Sequence, residues 1–360
     1  MAKAHRIDGR QGPKRWEVFA GAAGVVTLGA VAAGGAARNM TRRRGADDPY
    51  RDADFDAIYE ETASIVTADD GVPLTVREIG PADAPITVVF THGFCLRMSS
   101  WYFQSFELRQ RWGSRARLVF FDQRGHGRSG AGDAASSTIA QLGADLDTVI
   151  RAVVPTGPVV VVGHSMGAMG IMALASRRPE LFGGKIIGVG LISSAARGIA
   201  DDGIGRGLHN PVVDAFRLSV RQMPTAVQAG RGVTRSLLAP VLTAGSFGHK
   251  FGNRSVIAFA EKMIHQTQVA TIVNFLRALE HHDELACLKV LSGVPTMVAC
   301  GYQDRITPLA NSVEIHGELA DCELVGVPEA GHMLPLEYPE IVNDAIDRLV
   351  GRAALLVPDA

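Results

Sequence analysis

The sequence predicts an α/β fold: a mostly parallel central sheet flanked by helices, with a helical cap inserted in the second half of the chain. Three observations carry this. Short, almost unbroken apolar runs ("ITVVFTHGF", "RLVFFDQRGHGRSG", "VVVVGHSMGAMG", "KIIGVGLISS") alternate with helix-compatible stretches, the pattern of strands buried on both faces. The first three runs each halt in a glycine-containing loop. The alternation stops over roughly Arg197–His282 and resumes at "PTMVACGYQD" and "CELVGVPEAGH", so the interval reads as an insertion and not as a separate linear domain.

Taken in order, residues 1–45 form a basic and hydrophobic segment. Val18–Ala37 is twenty residues without a charge, which as helix would span about 30 Å, a bilayer core. Lys14 and Arg15 precede it and Arg38 and Arg42–Arg44 follow. Three readings fit: a single-pass anchor, a signal peptide ending in "AVAAGGAA", or an Ala/Gly-rich tail, since thirteen of the twenty residues are Ala or Gly. The anchor is the expectation carried forward, giving a membrane-associated protein held through residues 18–37; a secreted or cytoplasmic location is the alternative. Residues 46–62 are polar and acidic and read as a linker.

The first part of the core, 63–196, opens with "ASIVTADDGVPLTVREIG", a hairpin signal around "ADDG". Ser99–Trp112 is helix-compatible, and Thr138–Val154 sets Ile139, Leu142, Leu146, Val149, Ile150 and Val153 at helical spacing. Met166–Arg177 reads as the next helix. The cap occupies 197–290. Its first half is rich in arginine, which reads as a solvated cationic face or a surface resting on anionic lipid. The core resumes over 291–354, with Pro339–Leu349 as its closing helix.

Composition excludes several functions. A formal net charge of −1 gives no general attraction for nucleic acid, and no nucleic-acid-binding signature is present. Cys95, Cys287, Cys300 and Cys322 are far apart with no C-x-x-C pair, which argues against structural zinc and a dense disulfide framework. No cofactor is called for.

One motif carries chemistry. In "VVVVGHSMGAMG" a strand-like run ends on a serine set between glycines at 163 and 167. A sharp strand-to-helix turn strains its central residue and crowds the backbone on either side, so Gly163 and Gly167 flank Ser165. The turn lifts the hydroxyl clear, and the N–H of Met166, at a helix N-terminus, faces any oxygen bound there. Downstream, Asp304 follows the strand in "MVACGYQDRITP" and His332 lies in the loop after the last strand. Ser165 is a poor nucleophile until His332 takes its proton, and Asp304 would orient the imidazole.

Over roughly Ser64–Leu349, with "THGF", "FDQRGHGRS", "GHSMG", "GYQD" and "AGHMLPLEYP", the chain resembles the α/β-hydrolase superfamily. The resemblance implies catalytic Ser165, Asp304 and His332 and an oxyanion hole from the N–H groups of Phe94 and Met166. The chain has "HGF" where some relatives have "HGGG", and its serine argues against the haloalkane dehalogenase and epoxide hydrolase branches, which need a carboxylate nucleophile. His92 and His126 read as loop-ordering, His164 as packed locally, Asp122 as setting a turn and Cys95 as a buried small hydrophobe. The cluster His281 to Glu284 has no further ligand set for a metal. The function expected is cleavage of a small-molecule or lipid carboxylic ester. Alternatives are another reaction on the same triad (C–C or thioester hydrolysis, acyl transfer, perhydrolysis) or a non-catalytic ligand-binding role.

Overall fold

Val159–Val162 are four consecutive valines that divide their side chains between two cores. Val159 and Val161 join one apolar cluster and Val160 and Val162 the other, because successive strand residues point to opposite faces. This is the geometry of a sheet covered on both sides. A computed structural model describes residues 48–198 and 245–356.

Its eight strands are β1 (Thr62–Thr67), β2 (Pro73–Ile79), β3 (Ile86–Thr91), β4 (Ala116–Phe121), β5 (Val159–His164), β6 (Ile186–Ile192), β7 (Thr296–Gly301) and β8 (Cys322–Val327). They lie in the order β1-β2-β4-β3-β5-β6-β7-β8. The hairpin β1–β2 and the pair β2–β4 are antiparallel; every other pairing is parallel. The helices are α1 (Tyr102–Trp112), α2 (Ile139–Val153), α3 (Met166–Arg177), α4 (Arg254–Gln266), α5 (Val269–Glu280), α6 (Leu309–Gly317) and α7 (Pro339–Ala354), with short turns at Leu288–Leu291 and Leu334–Glu337. Residues of α2 and α3 pack on one face, and those of α1 and α7 on the other.

Local chemistry sets the boundaries. Thr138 caps α2 by accepting from the Gln141 N–H at 3.1 Å, satisfying one of the orphan donors of the first turn. From Met166 to Ala175 every residue of α3 is buried, as for a helix apolar all round. A Cβ on Gly143 would fall 2.7 Å from the Leu174 nitrogen, so glycine is what lets α2 and α3 approach.

Residues read as linker are in fact packed. Phe55, Ile58 and Tyr59 are buried, Phe55 stacks on Phe259 of α4 at 4.5 Å, and the Tyr59 hydroxyl donates to Asp122 at 2.8 Å. Three apolar residues spaced i, i+3, i+4 are enough to seat an otherwise acidic stretch.

The expected membrane anchorage is corrected. Among the described residues no helix is long and apolar enough to cross a membrane, and residues 18–37 lie outside the described residues. Their composition supplies the physical reason, since thirteen of the twenty are alanine or glycine, which contribute little transfer free energy. Residues 199–244, the first half of the expected cap, are also outside the described part. Beyond them, α4 packs Val256, Phe259, Ala260 and Met263 against Leu96 and Met333. It therefore lies across the loops that leave the carboxyl ends of β3 and β8.

Candidate active site

Parallel strands deliver their following loops to one edge of the sheet, and the loops after β3, β5, β7 and β8 bring the candidate residues together there. Ser165 sits between β5 and α3 with φ 52° and ψ −119°, a left-handed conformation that costs a non-glycine residue of order 1–3 kcal/mol. Surrounding bonds hold it: its N–H donates to Ile192 O at 2.8 Å, and its carbonyl accepts from Ala168 N at 3.0 Å, Met169 N at 3.2 Å and Ser194 Oγ at 3.0 Å. The flanking glycines are required by contact. A Cβ at Gly163 would lie 2.5 Å from the Ala168 nitrogen, and one at Gly167 would lie 2.6 Å from His92 O and closer still to Thr91 O.

His332 Nε2 is 2.9 Å from Ser165 Oγ, and His332 Nδ1 is 2.8 Å from Asp304 Oδ2. The carboxylate can only accept, so Nδ1 carries the ring proton and Nε2 is the acceptor facing the serine. Asp304 Oδ1 accepts from the N–H groups of Ile306 at 2.8 Å and Thr307 at 2.9 Å, and Oδ2 also accepts the Thr307 hydroxyl at 2.9 Å. Burial alone would raise the Asp304 pKa. The charge and hydrogen bond of His332, with the Thr307 and Ile306 N–H groups, outweigh it and hold the carboxyl below its usual range.

Three further histidines around the site, His92, His126 and His164, are buried and neutral. His92 Nδ1 donates to Gly93 O at 2.8 Å while its Nε2 accepts from Gln123 N at 3.0 Å. His126 Nδ1 donates to Arg124 O at 2.9 Å and its Nε2 accepts from Cys95 N at 3.2 Å. His164 Nε2 donates to the carbonyl of His332 at 2.9 Å. Burial pulls all three pKa values down, His126 to about 4 and His164 to about 3, with the nearby His332 adding to the second; His92 falls well below its usual value, with His126 adding to burial.

These bonds shape the backbone beside Ser165. A Cβ on Gly93 would fall 3.2 Å from Ser165 Cβ, so this turn lies directly against the nucleophile candidate. Gly93 O accepts from His92 Nδ1 and, at 3.2 Å, from Leu96 N. In a planar trans peptide the carbonyl and the next N–H point opposite ways, so tethering Gly93 O fixes the direction of the Phe94 N–H. Neither that N–H nor the Met166 N–H has an acceptor among the described residues.

Other candidates resolve simply. Asp122 is buried and accepts from Met98 N and Arg128 N, both at 2.8 Å. Cys95 is buried in an apolar cluster with Ile264 and Ile272, and burial pushes its thiol pKa up. His281 and His282 reach separate carbonyls, Arg277 O and Ala195 O, each at 2.9 Å. Among the described residues no group of three His, Cys, Asp or Glu is placed to hold a metal ion. Sequence reasoning missed Thr307 and Glu337. For Thr307 a signal existed, because an aspartate commonly accepts the N–H groups two and three residues on in an Asx turn; Glu337 lies inside "AGHMLPLEYP", where only the histidine was given a role.

The chain belongs to the alpha/beta hydrolase family, whose model matches residues 88–345. It is 27% identical over 187 residues to the uncharacterized hydrolase YugF of Bacillus subtilis (strain 168), covering 52% of this chain and 63% of that protein. The chain thus spans somewhat under two thirds of that relative's length. It is 27% identical over 280 residues to the putative carbamate hydrolase RutD of Escherichia coli O103:H2, covering 76% of this chain and 94% of the relative. Among solved structures, a thermophilic esterase from Thermogutta terrifontis superposes with a TM-score of 0.64 at 22% identity, over 81% of this chain and 99% of the esterase. That likeness shows the shared fold.

Proposed function

We propose that this hydrolase cleaves carboxylic esters through a Ser165–His332–Asp304 triad and an acyl-enzyme. The observation that carries the reading is the unbroken chain of hydrogen bonds, 2.9 Å from Ser165 Oγ to His332 Nε2 and 2.8 Å from His332 Nδ1 to Asp304. Ser165 Oγ attacks the carbonyl as its proton passes to His332 Nε2, and Asp304 stabilises the imidazolium. The N–H groups of Phe94 and Met166 receive the oxyanion. His332 then gives its proton to the leaving alcohol, and a water, deprotonated by the same nitrogen, releases the acid. Residues 197–290 act as the cap, and the position of α4 over the loops after β3 and β8 supports this.

A carbamate is a second substrate class, favoured by the similarity to RutD over most of its length; it presents the same carbonyl to the same nucleophile. The test is labelling with a fluorophosphonate probe, followed by a panel of chromogenic esters and carbamates. Wild type should label and turn over esters, and Ser165→Ala should do neither, with a loss of at least ~10⁴-fold in kcat. Turnover that persists in Ser165→Ala would refute the mechanism.

A further inference from the structure

Five residues past His332, at the end of the turn Leu334–Glu337, the carboxylate of Glu337 is buried and the mechanism above does not use it. Its partners are backbone donors. Gly331 N–H lies 2.9 Å from Oε1 and 3.1 Å from Oε2, and Gly248 N–H lies 2.7 Å from Oε2. Next to this contact, Ser246 O accepts from His332 N at 2.7 Å and Met333 N at 3.0 Å. Three consecutive N–H groups, those of residues 331, 332 and 333, are therefore tied either to Glu337 or to the segment it holds. The fit is close: a Cβ on Gly331 would fall 2.6 Å from the Gly248 nitrogen. Ser246 and Gly248 lie on the chain returning from the interval between β6 and β7.

We infer that Glu337 is a positioning residue: its carboxylate clasps the return segment Ser246–Gly248 to the loop of His332 and so keeps the imidazole in reach of Ser165. The inference rests on the serine-hydrolase reading. It makes the general base responsive to the inserted region, because any displacement of that segment is transmitted to the N–H groups on either side of the imidazole.

The clasp is tied to protonation. The anion has acceptor capacity for all three N–H contacts, whereas a protonated carboxyl turns one oxygen into a donor facing them. Burial is the largest influence and pushes the Glu337 pKa up to about 7, the Gly248 and Gly331 N–H groups pull against it, and Asp304 raises and His332 lowers it. Tyr338 is the neighbouring titratable group, and Lys250 pairs with Glu329 at 2.6 Å on the outer side of the segment. The clasp is whole above neutral pH and opens below it.

The experiment uses the full chain and compares wild type, Glu337→Gln and Glu337→Ala. The readouts are kcat and KM on a chromogenic ester and the second-order rate of fluorophosphonate labelling of Ser165 between pH 5.5 and 9. A misplacement of the base by a fraction of an ångström to an ångström lowers reactivity by ~10- to 100-fold. We therefore expect Glu337→Gln to lower kcat about 10-fold and Glu337→Ala about 100-fold, with KM within twofold. The wild-type labelling rate should fall below neutral pH more steeply than one proton allows, and Glu337→Gln should reduce that limb to a single ionisation. Folded Glu337→Gln that labels at the wild-type rate with the wild-type slope overturns the inference. So does a one-proton acid limb in the wild type, whatever the variants' folding. Wild type that fails to label at all overturns the serine-hydrolase reading instead.

Discussion

Exchanging Asp304 for asparagine changes charge and proton position while leaving shape alone. Oδ1 of Asp304 accepts two backbone N–H groups, those of Ile306 and Thr307, and Oδ2 faces His332 Nδ1. An asparagine must turn its carbonyl oxygen to the two N–H donors, which sends its NH2 group toward His332. Nδ1 then has to be the acceptor, the ring proton moves to Nε2, and the nitrogen facing Ser165 can no longer take a proton. The opposite flip would restore the tautomer by leaving two buried N–H groups against an amide NH2, at about 1–3 kcal/mol each. That is about 2–6 kcal/mol against the productive arrangement, or roughly 30- to 3 × 10⁴-fold in rate, before the lost charge is counted. We expect Asp304→Asn to lower kcat by ~10³- to 10⁴-fold, with KM little changed and the melting temperature within a few degrees. The assay is ester turnover per active site, with the folded fraction set by circular dichroism. A folded variant that loses less than tenfold would refute the assignment of Asp304 as the orienting acid.

Gly167→Ala pushes a methyl group against the backbone oxygens of His92 and Thr91, atoms that cannot swing aside. It should cost about 3 kcal/mol in urea unfolding or prevent folding, and a wild-type midpoint would contradict the tight elbow. Arg124 is fully buried and clamps Asp145 with bonds of 2.6 and 2.7 Å, while its other edge holds Asp70. Arg124→Ala leaves the buried Asp145 carboxyl without its cation, with the Gln141 amide at 3.2 Å as its remaining side-chain donor, and should cost about 3–5 kcal/mol, much of it regained in Arg124→Ala/Asp145→Ala. His92, His126 and His164 have folded pKa values depressed below 6.5, so at lower pH the unfolded chain binds more protons than the folded one. Stability should therefore fall as pH drops from about 6.5 toward about 4, by up to about 1.4 kcal/mol per pH unit for each histidine. A urea midpoint unchanged between pH 7 and pH 5 would contradict their neutral burial.

The elements legible in the sequence were those whose determinants are local. Strand β5 announces itself through four valines, α2 through its apolar stripe, and the hairpin through "ADDG". Ser165 could be picked out because its neighbours must be glycine for steric reasons internal to a short turn. What stayed hidden depends on distant contacts. Tyr59 and Phe55 sit in an acidic stretch, and only the meeting with Asp122 and α4 shows that they are core. Glu337 falls inside "AGHMLPLEYP", yet that stretch does not reveal which distant backbone donors its carboxylate meets. Segment 18–37 has the length and the lack of charge of a membrane span, but alanine and glycine favour lipid only weakly.

The hydroxyl of Ser165 and the imidazole that faces it are 167 positions apart in the chain. A ribosome adding roughly 5–20 residues each second needs on the order of ten seconds or more to travel from one to the other. During that interval the serine has been made but has no partner to draw off its proton. In the proposed mechanism, acyl chemistry is therefore withheld from the growing polypeptide and begins only when the last strand of the sheet docks.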